Sequence, residues 1–310
     1  MRRSLTLPPD AGGRLDRALA DALGVGRAAV KEAFAAGRVR VDGRRARGSD
    51  PAAPGAAVEI ELAGPAGAPA PEPGTPLSVL RLSPRWLVVD KPPGVATHPL
   101  RSGEAGALAA AVLGRHPECA GASDDPREGG AVHRLDRDTS GCVLFARDPE
   151  AWRILRGQFA ARTVEKVYQA VVLGRLDAGG VCSVPLAQRG NRSVPVPDAG
   201  AEERLREKGL PAPRPAETHY EVVRRLAAHT LVEVRIVTGA MHQIRAHLAW
   251  LGYPVAGDLL YGGEWARLTG LERHALHASR LGFDPPEGGE RVRVESPLPP
   301  DLAALLARLS

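Results

Sequence analysis

Cysteine is scarce in this sequence: Cys119, Cys142 and Cys182 are the three in 310 residues. An odd, widely spaced set without a CxxC pair supports neither a disulfide framework nor a zinc knuckle, and suits a reducing compartment. Long apolar runs are missing too, and no stretch approaches the ~18 residues of a membrane helix. Pro8, Pro9, Gly12 and Gly13 stand where an apolar h-region would follow Arg2 and Arg3, so no secretory signal is expected. A cytoplasmic protein with no membrane partner is the expectation. A low-hydrophobicity, disordered composition is excluded by 44% hydrophobic and 25% charged residues. The charge excess is only +5. It favours an acidic partner such as nucleic acid, although an Arg-rich composition gives the same sum. The length allows roughly two domains.

The charge that is present is concentrated. Between Arg27 and Arg47 stand seven basic residues (Arg27, Lys31, Arg38, Arg40, Arg44, Arg45, Arg47) against Glu32 and Asp42. That excess of five equals the whole chain's. Around it, Leu15, Ala18, Leu19, Ala22 and Leu23 keep helical spacing up to Gly24. Ala29, Val30, Ala33 and Phe34 repeat it up to Gly37. Val39–Val41 alternates into the turn pair Asp42-Gly43, and a second alternating strand covers 58–62. The spacing predicts helix, helix, short strand, turn, strand. A solvated charged face is the plain reading of the arginines. The arrangement also suits bidentate phosphate contacts. Residues 12–62, with the phrase GRVRVDGRRAR, resemble the S-four-like RNA-binding domain, except that Gly26 stands where that family often has Ser. This resemblance makes Arg27, Lys31, Arg38, Arg40, Arg44 and Arg45 candidate RNA contacts and 1–62 a domain.

Residues 63–76 carry five prolines and three glycines, which exclude helix and central strand. They are read as a semi-stiff linker, with a second domain over 77–310. Beyond it, Leu87–Val89, Val143–Ala146, Val167–Leu173 and Leu231–Val237 are strand candidates. Helices are predicted over Ala107–Leu113, Pro149–Ala161 and His242–Leu251. The elements lack the regular beat of a doubly wound fold, so the fold class expected is α+β, a mixed, largely antiparallel sheet with flanking helices. The stretch 188–216, rich in Arg, Pro and Glu, reads as an insertion or mobile loop.

Three segments carry candidate chemistry. In AVHRLDRDTSGCVLFAR (131–147) a polar turn precedes an apolar strand, a common place for catalytic side chains. Arg134 and Arg137 flank Asp136 and would favour its carboxylate, a usable nucleophile at a sugar carbon. An Asx-turn or a surface ion pair is the alternative. In EKVYQAVVLG (165–174), Lys166 and Tyr168 share one side of a strand, as a sheet tyrosine and a snorkelling lysine also would. In TGAMHQIRAHLAWLGYPVAGDLLYGG (238–263), His242, His247 and Asp258 could be joined in a metal reading. The two histidines are five apart and lack the zincin glutamate, so a metal hydrolase is disfavoured. TSGC around Ser140 is not a nucleophile elbow.

HRLDRDTSG, then KxY, then TGxxHQIRxH, GYPVAGDLLYGG, RHALHASRLGF and VESPLPPDL, preceded by DKPPGVATHP at 90–99, together resemble the RluA-type pseudouridine synthases over about 80–303. The resemblance implies an isomerase that converts uridine to pseudouridine in structured RNA without cofactor or metal. It implies that Asp136 is the catalytic aspartate, that Arg245 pairs with it, and that Tyr168 stacks on the target base. Arg134 would fill the gap left by the everted nucleotide. Lys166 and His242 occupy motif positions. The base must leave its stack, most easily in an RNA loop. Attack on the ribose or on the ring both remain open. One departure is Ala240, where the family usually has Arg; Arg235 or Arg267 could supply the missing guanidinium. The basic module points to large-subunit ribosomal RNA, with transfer RNA or a non-catalytic ribosome-assembly role as alternatives, and a monomer is expected.

Overall fold

The apolar spacing that predicts two early helices produces them in a computed structural model, which describes residues 2–25, 27–62, 67–99 and 104–309. Gly26, linker residues 63–66 and the side chains of Ala29 and Arg267 lie outside the described residues. Contacts divide the chain into two units, one up to Gly67 and one from Ala68.

The first unit opens on a strand, β1 (Arg2–Thr6), followed by α1 (Leu15–Leu23), α2 (Arg27–Ala35), β2 (Val39–Val41), β3 (Arg44–Arg45) and β4 (Ala57–Glu61). Strand β1 is absent from the sequence reading. It pairs antiparallel with β4 and widens the expected hairpin into a sheet of order β1-β4-β2-β3. Helix α1 ends at Gly24 in the left-handed region, φ +62°, where glycine is unstrained. Leu15, Leu19, Val30, Ala33, Val39, Val58 and Ile60 close a small core.

The second unit runs β5 (Ser78–Leu82), β6 (Trp86–Lys91), α3 (Leu108–Arg115), β7 (Ser140–Ala146), α4 (Pro149–Ala160), β8 (Glu165–Leu173), β9 (Gly180–Cys182), β10 (Leu186–Arg189), β11 (Arg192–Pro195), α5 (Ala199–Glu207), β12 (Thr218–Arg225), β13 (His229–Ile236), α6 (Gln243–Trp250), α7 (Leu259–Gly262), β14 (Leu276–Phe283), β15 (Val292–Glu295) and α8 (Pro300–Leu309). Its main sheet has the order β5-β6-β7-β14-β8-β13-β12-β9, with β15 on β14. Only the β7–β14 pairing is parallel among the described strands. The mixed, largely antiparallel α+β expectation is met.

Both faces of the sheet centre are covered, which is why its strands read as unbroken apolar runs rather than alternations. Leu87, Val89, Val143 and Phe145 face a core shared with Leu108 and Val112 of α3, Ile244 and Leu248 of α6, and Leu302 and Leu305 of α8. The intervening Trp86, Val88, Cys142 and Leu144 face Trp152 and Leu155 of α4. Helix α4 starts where the sequence signals it. Asp148 caps it by accepting from the Ala151 N–H at 2.8 Å, with Pro149 in the first turn.

The stretch 188–216 differs from its reading as a loop. β10 and β11 form an antiparallel hairpin and α5 follows, capped by Asp198. No helix among the described residues is long and apolar enough to cross a membrane.

Candidate active site

A cavity of about 690 Å³ opens where the loop ahead of β7, the start of β8 and the N-terminus of α6 converge. Asp136, Tyr168, Arg134, Lys166, His242 and Arg245 all line it. The six residues therefore come together from positions up to 111 apart in sequence.

The Asp136 carboxylate is half-buried and accepts from Arg245 Nη1 at 2.9 Å through Oδ2. It forms no Asx-turn; only its backbone carbonyl takes part in the turn, accepting from the Thr139 N–H at 3.1 Å. Its neighbours in sequence are not its ion-pair partners. Arg137 turns to Glu104 and the Gly94 carbonyl, and Arg134 stands exposed at the rim.

Arg245 is itself anchored from behind. Its Nε and Nη2 donate to the two oxygens of Asp258 at 2.7 and 2.9 Å. Asp258 is 2% exposed and also accepts from the Leu260 and Tyr261 N–H groups at the start of α7. Burial works against the Arg245 charge, yet hydrogen bonding and charge from Asp258, and then Asp136, hold its pKa above the usual arginine value. The guanidinium also lies 5.2 Å over the Tyr261 ring.

His242 sits at the N-cap of α6 in the left-handed region, φ +52°, so the helix begins one residue later than its spacing predicts. A non-glycine residue held there is strained backbone, a feature that clusters at functional sites. Its Nε2 is 3.8 Å from Asp136 Oδ2, and its Nδ1 is 3.2 Å from the Tyr261 hydroxyl. Burial lowers its pKa, against the opposing pull of Asp136, so the ring is neutral near pH 7. His247 is engaged elsewhere, with Thr218 Oγ1 at 2.9 Å and the Val184 carbonyl at 2.8 Å. The metal reading of His242, His247 and Asp258 thus meets three side chains with separate partners, and no group of three such residues could hold a metal among the described residues.

Tyr168 is 8% exposed in the cavity wall, and burial, followed by the Asp136 charge, pushes its phenol pKa up, so it stays neutral. Lys166 donates to the Val237 and Thr238 carbonyls at 3.4 and 3.0 Å, and burial, then the charge of Arg162, lowers its pKa to about 8.

The loop carrying Asp136 is braced by residues the sequence reading did not single out. Lys91 is fully buried, and its Nζ donates to the carbonyls of Pro92, Val95 and Arg137 at 2.8, 2.6 and 2.7 Å. Burial lowers its pKa to about 7, against the pull of Asp138 and Asp136. Thr139 Oγ1 is 2.7 Å from His274 Nε2, and His133 Nε2 accepts from the Leu144 N–H at 3.1 Å. These residues lie in quoted motifs, DKPPG, HRLDRDTSG and RHALHAS. Motif membership is the one signal that could have flagged them, because their partners are fixed only by the fold.

In the first unit the six basic candidates separate into two groups. Arg27 is tied to the buried Asp16 at 3.0 Å, Arg38 to Glu32 at 3.2 Å, and Arg40 to the Gly43 carbonyl at 3.0 Å. Lys31, Arg44 and Arg45 are exposed without an ion pair among the described residues.

Residues 85–250, more than half of the chain, match the family model described as RNA pseudouridylate synthase. An uncharacterized RNA pseudouridine synthase of Chloroflexus aurantiacus is 37% identical, covering 99% of this chain and 93% of that protein. A ribosomal large subunit pseudouridine synthase D of Xanthomonas campestris is 36% identical over 100% of this chain and 92% of its own length. Among solved structures, human RNA pseudouridylate synthase domain containing 1 superposes with a TM-score of 0.59 at 27% identity, covering 76% of this chain and 90% of that one. The chain belongs to the RluA-type RNA pseudouridine synthases. It is an isomerase whose substrate is RNA.

Proposed function

We propose that this chain isomerises specific uridines of large-subunit ribosomal RNA, with Asp136 as the nucleophile and no cofactor. The observation that carries the reading is the fixed line Asp258–Arg245–Asp136, which ends on a half-buried carboxylate inside a cavity of nucleotide size. A carboxylate leaving water is costly unless paired, and Arg245 offsets that cost while leaving Asp136 Oδ1 without a partner among the described residues. That free oxygen adds to the extruded nucleotide. In the ribose version it bonds to the anomeric carbon as the bond to N1 breaks, and the electron pair stays on the uracil ring. The ring turns, its C5 bonds to the anomeric carbon, and the carboxylate leaves. A proton is lost from C5 and one is gained at N1, so atoms balance. Addition to the ring instead requires the same charged oxygen.

Tyr168 supplies a neutral ring to stack on the base. Arg134, at the rim with no ion pair among the described residues, enters the gap that the extruded nucleotide leaves, while Lys166 and His242 line the pocket beside it. Residues 1–62 act as an S-four-like RNA-binding domain. Of the six candidates, Lys31, Arg44 and Arg45 have no ion pair among the described residues, whereas Arg27, Arg38 and Arg40 already hold partners within the unit. The ribosomal target follows the relatives named as large-subunit enzymes.

The test is Asp136→Asn. It should leave RNA binding within a few-fold and abolish tritium release from RNA labelled at uridine C5. Retained release would overturn the nucleophile. Pseudouridine mapping of total RNA with and without the protein decides the target, and sites confined to transfer RNA would replace the ribosomal assignment.

A further inference from the structure

Arg162 and Arg214 line the cavity, are exposed, and have neither a carboxylate partner nor a side-chain hydrogen bond among the described residues. Each is held by a backbone arrangement that fixes where its side chain starts. Arg162 follows α4 in a helix-ending turn: its N–H donates to the Phe159 carbonyl at 3.2 Å, and the Thr163 N–H to that of Gln158 at 3.1 Å. Its φ is +61°, the left-handed position that glycine ordinarily fills. An arginine there holds a strained backbone, a feature that clusters at functional sites.

Arg214 stands in the segment that the sequence marks as a loop, yet its backbone is clamped. It exchanges hydrogen bonds of 2.8 and 2.9 Å with Leu186 of β10. Leu186 and Ala216 are buried with Ala246 of α6, and Ala240 rests against them. The insert is fastened to the site at two further points. The Ser193 N–H donates to the Tyr261 hydroxyl at 2.8 Å, and the Ser193 hydroxyl to the Met241 carbonyl. Arg214 is therefore delivered beside position 240, where the resemblance calls for an arginine and the chain has alanine.

Lys166 belongs to the same wall. Its Nζ hangs from the carbonyls of Val237 and Thr238, and the Glu217 N–H, three residues beyond Arg214, donates to Thr238 Oγ1 at 2.9 Å. Arg162 is close enough to Lys166 for its charge to act on the ammonium. Both also line an adjoining groove of about 470 Å³ with Arg235, with Arg291 and Arg293, which pair with Asp284 and Glu165, and with Glu217.

We propose that Arg162 and Arg214, with Lys166, bind the phosphates flanking the extruded uridine and lead the RNA strand from the cavity into that groove. The proposal rests on the functional reading above, since it takes the cavity to hold a nucleotide of RNA. Guanidinium forks match phosphate oxygens in a way that a lone ammonium does not. Among the described residues no carboxylate or side-chain hydrogen bond competes for either guanidinium.

The test uses the full chain and a ribosomal RNA transcript. Filter binding across a salt series gives the log–log slope, and initial rates give KM and kcat. Arg162→Gly and Arg214→Ala should each lower the slope by about 0.7–0.9. Each should raise KM several-fold with kcat within about two-fold, because a phosphate contact made equally in ground and transition states is lost. Arg214→Lys should recover most of the slope. Arg162→Gly should melt at the same temperature or higher, as strain is relieved, and Arg206→Ala on α5 should change nothing. An Arg162→Gly/Arg214→Ala double variant with wild-type slope and KM overturns the proposal. So does a drop in melting temperature for Arg162→Gly, which would make that arginine structural. Binding slopes are read without turnover. A wild-type protein that makes no pseudouridine would therefore refute the catalytic reading and still leave the two arginines to be decided.

Discussion

Arg245 uses three of its N–H groups on two carboxylates of unequal exposure. Asp258 is 2% exposed and takes two hydrogen bonds; the more open Asp136 side chain takes one. Asp258 is thus the anchor and Asp136 the working end. Breaking a buried pair from one side leaves an uncompensated charge, at about 3–5 kcal/mol. Asp258→Ala should lower stability by that order. Asp258→Asn, which keeps the shape but loses the charge, should cut kcat by at least about ten-fold with RNA affinity within a few-fold. An Asp258→Asn protein with wild-type kcat would show that Arg245 needs no anchor. The Asp136–Arg245 pair spans 109 positions, and no spacing rule predicts it; the order of motifs did. Asp258 appeared in the sequence only as a motif residue and a conceivable metal ligand. A carboxylate's partner is chosen by the fold, and periodicity carries no information about it. His133 shows the same limit: it lies in the HRLD motif, but its ring accepts from a backbone N–H and stacks 4.7 Å from Phe159.

At the scale of elements, the β7–β14 pairing decides whether the Asp136 loop is held in place. The two strands run parallel through His277–Ser140 and Ala278–Gly141. Gly141 has φ +114°, and a Cβ there would lie 2.2 Å from the Ala278 carbonyl oxygen. Only glycine lets the strands approach, which gives the TSG triplet a steric reason beside any chemical one. Gly141→Ala must either open the central pairing or shift the loop, and should cost about 3 kcal/mol or more. Circular dichroism melts and soluble yield check it; a melt within 2 °C of wild type would show that the strands can part without loss. The core strands were legible because they are apolar on both faces. Strand β1 and the β10–β11 hairpin were not, because short edge strands rich in Arg, Ser and Pro carry little pattern. Their order comes from cross-strand hydrogen bonds and, for the hairpin, from docking on Tyr261, which the local sequence does not encode.

Across the whole molecule, burial affects the histidines most consistently. His98 is lowered to about 4 and His133 to about 3, in both cases first by burial, and His247, His274 and His277 are lowered by burial as well. Several of these rings depend on neutrality, since His133 Nε2 must keep a lone pair for the Leu144 N–H. A base whose folded pKa lies below its unfolded value binds more protons when unfolded. Stability then rises with pH through the interval between the two values. The interval starts near the ordinary histidine value of about 6.5 and runs down to about 4 for His98 and about 3 for His133, while for His247, His274 and His277 it lies below the ordinary value. Their contribution is complete above about pH 6.5 and is lost as pH falls below it. One wholly buried histidine contributes at most about 1.4 kcal/mol per pH unit, and partly open ones less. Melting temperature should therefore fall steadily from pH 6.5 to 4.5, before most carboxylates protonate. His133→Gln can still offer an acceptor to Leu144 without taking up a proton, so its decline should be shallower than wild type. Parallel melting curves for the two proteins over that range would remove His133 from the account. A flat wild-type profile between pH 6.5 and 4.5 would mean that the buried rings find new acceptors on protonation and that the fold tolerates their charge.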